Sequence, residues 1–357
     1  MRLIFTKNWG LGLIALVCLA MSGGCGDTSD EKASESTTAT SNNATSSNAT
    51  SSNATELFGG VGAPTTAGRH DVTLPWEGVD RLAIIEIPEN FDPEESHALI
   101  IIFHGGGSKA DTMFKNRASF RAIAQADQVI TVFPQGTPSN GDGNSWNWAD
   151  LPGRTSDDVA FVSNLILWMS GPLNINSKRV YTAGFSAGGG MAQRLAGQRP
   201  VLIAATMSCC MATGFTTSDP PDEACPNAVG CMQPPVADVE TIRFDIGELT
   251  SPVPALLIRG GEDRSVCDDG TCSRTSRRYD TVEEHATIWV NNNDCDLNAF
   301  ETEMLEGEGD SAVIRRFESC TSDAPVHALY MPALEHTWPN SANTLIYNFL
   351  MRFENPR

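Results

Sequence analysis

Three absences narrow what this 357-residue chain can be. It has no basic cluster: Lys and Arg number 24 against 44 Asp and Glu, the formal charge is −20, and its densest basic spots are the pairs Arg277–Arg278 and Arg315–Arg316. A surface this acidic repels a phosphate backbone, which argues against nucleic acid as a partner. It has no apolar run of the roughly 18 residues needed to span a bilayer, which argues against an integral membrane protein. It has no C-x₂-C pair among its ten cysteines, which disfavours zinc. The acidic run Asp263–Asp269 likewise lacks the alternating ligand spacing of a calcium loop and reads as a solvated turn. What is present is a hydrophobic content of 41 %, enough to bury a core.

The first residues read as an address. Arg2 and Lys7 precede a short apolar run, Leu11–Met21, and then Ser22-Gly23-Gly24-Cys25. A positive start, a short apolar stretch and small residues make an export signal over residues 1–25. Cys25 stands where a bacterial lipobox carries its lipidated cysteine, with Ser22 in the place usually held by Leu. Residues 26–58 are mostly Ser, Thr, Asn and Ala, and carry a five-residue repeat ending at Thr45, Thr50 and Thr55. Such a segment cannot offset its own ordering entropy and reads as a flexible tether. Its Asn-Ala-Thr triplets match the glycosylation acceptor pattern, and in a bacterial lipoprotein they read as by-products of the repeat.

From residue 59 to 357 a single domain is expected, with strand and helix signals in alternation. Strands are predicted at Arg81–Ile87, Ala98–Phe103, Val129–Phe133, Arg179–Ala183, Leu202–Met207, Ala255–Arg259 and His327–Met331. Helices are predicted over Thr112–Asp127, from Asp157 and Asp158 to Met169, over Ala187–Gly197 and over Thr344–Phe353. Continuous apolar strands separated by helices point to an α/β fold, a mostly parallel central sheet with helices on both faces. The aperiodic stretch Thr213–Glu248 reads as an insertion, a lid or a loop, before the strand at Ala255.

The chemistry is concentrated at Gly184-Phe185-Ser186-Ala187-Gly188. A G-x-S-x-G alone is weak evidence, but here a β-branched strand precedes it and a helix former follows. That is the context of a nucleophile elbow, a tight turn that exposes the Ser hydroxyl above the sheet. A Ser hydroxyl needs a base, an acid to orient that base, and donors for the developing oxyanion. The donors are expected from His104-Gly105-Gly106-Gly107, directly after a buried strand: Gly106, with Gly107 the near alternative, together with Ala187. The acid is expected after Ala255–Ile258, with Asp263 the candidate and Glu262 the reserve. Of six histidines, His336 alone sits just beyond a strand at the expected exit edge of the sheet. The order Ser186, Asp263, His336 is that of α/β-hydrolases, and not that of chymotrypsin or subtilisin.

With those residues in hand, the chain resembles the polyhydroxybutyrate depolymerase/feruloyl esterase-like family of secreted α/β-hydrolases. The likeness runs from about residue 75 to 353. It is carried by His104–Gly107, the elbow Arg179–Gly190, Asp158-Val-Ala-Phe161, the Gly-Glu-Asp263 turn and, most specifically with the elbow, His336-Thr-Trp-Pro339. Trp289, Asn293, Cys295 and Cys320 are similar to the family's W…N-x-C…C segment. The chain departs from the family pattern at Arg259, where a His is usual, at Leu334-Glu335, and at Cys267 and Cys272.

The resemblance implies an α/β-hydrolase fold and an exported serine carboxylic-ester hydrolase working through an acyl-enzyme. Its substrate would be an aromatic acyl ester or a polyester, with no organic cofactor, no metal and no obligate protein partner. A peptidase of the same fold and a non-catalytic surface-binding lipoprotein are the alternatives. Eight cysteines outside the first 25 residues read as disulfides in an exported chain, with Cys267–Cys272 and Cys295–Cys320 the preferred pairs. Trp146 and Trp148, in the loop after the strand ending at Phe133, either wall the substrate or pack the loop down. Trp338 joins them as a substrate-binding candidate.

Overall fold

The computed structural model describes residues 55–139, 143–217, 242–267, 277–305 and 311–357. After a 3₁₀ turn at Thr55–Phe58 come strands β1 (Gly68–Trp76), β2 (Val79–Ile87) and β3 (His97–Phe103), then helices α1 (Ala110–Asn116) and α2 (Ala118–Ala126). Strand β4 (Ile130–Pro134) leads through two-residue strands β5 (Thr137–Pro138) and β6 (Asn144–Ser145) to α3 (Asp158–Ser170) and β7 (Ile175–Phe185). Helix α4 (Ala187–Gln198) follows, then β8 (Ala205–Cys209), β9 (Gly214–Thr217), β10 (Ile242–Asp245), β11 (Ala255–Gly260) and β12 (Arg277–Tyr279). The chain ends with α5 (Val282–Asn292), β13 (Glu301–Leu305), β14 (Ala312–Phe317), β15 (Val326–Met331) and α6 (Asn343–Met351).

Ten strands form one sheet in the order β1-β2-β4-β3-β7-β8-β11-β15-β14-β13. The six from β4 to β15 are parallel, and an antiparallel pair closes each side. Strand β3 explains why the sheet lies buried between two layers. Its side chains alternate faces: Leu99, Ile101 and Phe103 join one apolar cluster, and Ala98, Ile100 and Ile102 join the other. Helices α3, α4 and α5 cover the first face, through residues such as Phe161, Leu195 and Trp289. Helices α1, α2 and α6 cover the second, through Met113, Phe120 and Ile346. This is the α/β-hydrolase fold expected from the sequence.

Local structure refines several expectations. The helix predicted over Thr112–Asp127 is two helices, broken where Arg117 leaves helical geometry at φ −105° and ψ 24°. The buried Arg117 guanidinium lies over the Trp338 ring and donates to Asn340, so a tertiary contact sets the break. Strand β1 and the β13–β14 hairpin are not foreseen, because β1 and β13 are largely exposed and carry little hydrophobic signal. Phe58, read as the last residue of the tether, is fully buried against Trp76, Phe161 and Trp168, so the folded unit reaches back to it. The expected insertion supplies β9 and β10, and β9 pairs with both β10 and β12 in a separate antiparallel sheet. Its middle, like residues 1–54 with Cys25, lies outside the described residues.

Candidate active site

Strand β7 runs straight into the elbow. Ser186 sits at φ 54° and ψ −128°, a left-handed backbone that a non-glycine residue rarely adopts. The flanking glycines are required by close approach: a Cβ on Gly184 would lie 2.0 Å from the Gly188 carbonyl oxygen, and one on Gly188 would lie 2.4 Å from the carbonyl oxygens of Phe103 and His104. The Ser186 N–H donates to the Cys209 carbonyl at the end of β8, and the Ser186 carbonyl accepts from Gly189 and Gly190 at the start of α4. The strained turn is therefore held from the neighbouring strand and from its own helix.

Three residues separated by long stretches of chain meet here. His336 Nε2 lies 2.9 Å from Ser186 Oγ, and His336 Nδ1 lies 2.7 Å from Asp263 Oδ2. The Asp263 side chain is fully buried, whereas that of His336 is 24 % exposed, so the open end of this chain of bonds is the Ser186 end. The other carboxylate oxygen of Asp263 accepts from the N–H groups of Ser265 and Val266. Both oxygens are thus committed, and the acidic run that begins at Asp263 does not offer this carboxylate to a cation. Glu262, the reserve acid, is exposed. The imidazole of His336 rests against the Phe185 ring, with centroids 4.9 Å apart.

The turn after β3 lies directly against the elbow. A Cβ on Gly105 would meet Ser186 Cβ at 3.4 Å, and one on Gly106 would meet Ala187 Cβ at 3.5 Å and Ser145 Oγ at 3.3 Å. Ala187 is the first residue of α4, so its N–H has no acceptor within the helix. Gly106 is solvent-exposed, and none of the backbone bonds among the described residues uses its N–H. Gly107, the alternative donor, turns at φ +72°. His104 anchors the whole turn. Its Nε2 accepts from Gly136 N–H at 3.0 Å, so Nδ1 carries the proton and donates to the Gly105 carbonyl at 2.8 Å. Burial holds this imidazole down to a pKa of about 4, with the Arg81 charge acting in the same direction and the Gly105 bond opposing.

A profile of the esterase PHB depolymerase family matches residues 88–276, more than half of the chain. The chain belongs to that family. Among curated relatives, feruloyl esterase D of Neurospora crassa is 27 % identical over 38 % of this chain and 47 % of its own length. Feruloyl esterase B of Piromyces equi is 32 % identical over 35 % of this chain and 23 % of its own. The chain spans less than half the length of either relative. In three dimensions this PHB depolymerase family member is similar to an acetyl xylan esterase from Aspergillus awamori. The TM-score is 0.53 at 12 % identity, over 79 % of this chain and 99 % of that one, a likeness of fold.

Of the two readings open for Trp146 and Trp148, burial favours packing over a substrate wall, and for Trp338 the substrate-binding expectation is corrected in the same direction. Trp146, Trp148 and Trp338 are 0 %, 2 % and 3 % exposed. The Trp146 indole N–H donates to the His104 carbonyl, and its ring packs on Phe103 and His104. Trp148 fills the space left by Gly190 and packs on Phe215. Trp338 packs on Phe120 and donates to Asn343. All three rings are apolar payload within the packed core, and Trp146 and Trp338 also have their indole N–H paired.

Of the expected disulfides, Cys295–Cys320 is formed. Cys267 is disulfide-bonded, while Cys272 lies outside the described residues. Sequence reasoning noted Arg259 only as a departure from the family pattern. The structure shows that it grips the acid-bearing loop. Its guanidinium, 1 % exposed, donates to the carbonyls of Val266, Cys267 and Asp280, and so fixes the loop that begins at Asp263. The one available signal was an arginine closing an otherwise apolar strand. Gln193 on α4 was also missed; its amide joins His285 and Trp289 to Ser208 beneath the elbow.

Proposed function

We propose that this chain is an exported serine carboxylic-ester hydrolase that works through an acyl-enzyme, with Ser186 the nucleophile, His336 the base and Asp263 the acid that orients it. The observation that carries this reading is the unbroken chain of hydrogen bonds from buried Asp263 through His336 to Ser186. Asp263 holds Nδ1 as the protonated nitrogen, which leaves the Nε2 lone pair facing the hydroxyl. As Ser186 Oγ attacks the ester carbonyl carbon, its proton passes to Nε2, and the oxyanion accepts from the N–H groups of Gly106 and Ala187. The alcohol departs with the proton from His336. Water then attacks the acyl-enzyme by the same route and releases the acid.

Membership of the PHB depolymerase family, and relatives named as feruloyl esterases, favour an ester over a peptide. The substrate class we infer is an aromatic acyl ester or a hydroxyalkanoate polyester. The basic start, the short apolar run and the lipobox-like Cys25 support export with a lipid anchor, and residues 26 to the mid-fifties would tether the domain to it. A fluorophosphonate should label wild-type Ser186, and Ser186→Ala should lose both the label and about 10³-fold or more of ester turnover. A panel of feruloyl, acetyl and hydroxyalkanoate esters beside a peptide anilide assigns the substrate class. Wild-type turnover by Ser186→Ala would refute the mechanism.

A further inference from the structure

Directly behind the nucleophile lie two adjacent cysteines, Cys209 and Cys210, at the end of β8. Both are fully buried. Cys209 supplies the carbonyl that accepts from Ser186 N–H at 2.9 Å, and Cys210 N–H donates to the Ile258 carbonyl on β11. Both sulfurs face the carbonyl of Thr337, the residue after His336, at 3.7 Å from Cys209 and 3.1 Å from Cys210. The pair therefore bridges the segment that holds the nucleophile and the segment that carries the base.

Two features set these residues apart from ordinary core thiols. The structure holds them as two free thiols whose sulfurs are 2.7 Å apart. Non-bonded heavy atoms rest at roughly 3.5–4.0 Å, and a disulfide closes at about 2.0 Å, so the two sulfurs stand between contact and bond. Cys210 also adopts φ 55°, a left-handed backbone with no glycine to ease it. That turn swings the second sulfur back toward the first across a single peptide unit. An apolar core would be served by any small side chain without either feature.

We propose that Cys209 and Cys210 close a vicinal disulfide, a ring through their shared peptide unit that braces the wall behind Ser186. Two S–H bonds break and one S–S bond forms; the two protons and two electrons pass to a disulfide oxidant, protein or low-molecular-weight, which leaves as two thiols. Burial keeps oxidant and reductant out of the folded site and pushes the Cys209 thiol well up, away from the reactive thiolate. Closure therefore belongs to folding, before β8 is covered. The inference rests on the proposed export only for its oxidising compartment; the bond itself is read without an activity assay.

The test uses the full chain, expressed with its own N-terminus and recovered from the cell envelope of a bacterial host. Recovery only from the cytoplasm would reject export, a failure separate from that of the bond. The enveloped material is denatured in acid with a maleimide, so that free thiols are capped before they exchange, and cleaved at methionine. Met207 and Met211 bracket Ser208-Cys209-Cys210-Met211, and so isolate this pair from every other cysteine. The expected fragment carries no maleimide, weighs two hydrogens less than the dithiol, and takes up two maleimides after reduction in denaturant. Maleimide on either cysteine before reduction, or a fragment joined to another part of the chain, would overturn the proposal. Reductant applied to the folded protein should leave the fragment unlabelled. Labelling there as fast as in denaturant would overturn its role as a buried brace.

Discussion

Acid should destabilise this protein through His104, and the size of the effect follows from how that imidazole is held. Its Nε2 accepts a backbone N–H from Gly136, so a second proton would set donor against donor inside the core. The folded pKa of about 4 lies below the ordinary 6.5 of the unfolded chain. The unfolded state therefore binds the extra proton first as pH falls. The stabilisation is complete above about pH 6.5 and is lost progressively as pH drops toward 4. Each unit of difference corresponds to about 1.4 kcal/mol, which makes this one residue worth about 3 kcal/mol between pH 7 and pH 4. His104→Gln keeps an acceptor for Gly136 but cannot take a proton in this range. Urea titrations followed by tryptophan fluorescence at pH 7, 5.5 and 4 would give both unfolding free energies. The wild type should lose about 3 kcal/mol more than His104→Gln over that interval. Buried His285, whose pKa is also lowered by burial, acts in both proteins and cancels. Parallel losses in the two proteins would refute the account.

Other consequences follow from single contacts. Arg259→Met should release the acid-bearing loop, lowering kcat about tenfold or more at nearly constant KM, with partial rescue in Arg259→Lys; an equal loss in both variants would show that its carbonyl contacts do not position Asp263. Replacing Cys295 and Cys320 with Ser should lower stability by about 3 kcal/mol in the loop-entropy model, given a sequence separation of 25 residues. A melting temperature unchanged from wild type would contradict that. Mass spectrometry of native protein should find a mature chain beginning at lipid-bearing Cys25, and an unmodified start elsewhere would reject the anchor.

Much of the site was legible because its parts obey local rules. The elbow announces itself through glycines at 184 and 188, where any Cβ would collide with backbone oxygen. The strands at Ala98–Phe103 and Ala255–Ile258 announce themselves as unbroken apolar runs, since a strand covered on both faces has no polar side to show. The exposed strand β13 gives no such signal, and neither does the vicinal cysteine pair, whose meaning rests on one left-handed turn at Cys210.

The linear order of residues thus determined the fold class and the elbow at Ser186, and it offered Ser186, Asp263 or Glu262, and His336 in that order as the proposed triad, since periodicity and turn sterics act over a few neighbours. Tertiary structure decided the rest. It chose Asp263 over Glu262 by burying the one carboxylate and leaving the other in solvent. It turned Trp146, Trp148 and Trp338 into the core, and it converted Arg259 from an odd residue at a strand end into the clamp on the acid loop. Each of those outcomes depends on what packs against a side chain from distant parts of the sequence. Asp263 and His336 are 73 residues apart, and Ser186 and His336 are 150 apart. Contacts at that range carry no local signature, so only the folded sheet brings them within a hydrogen bond of one another.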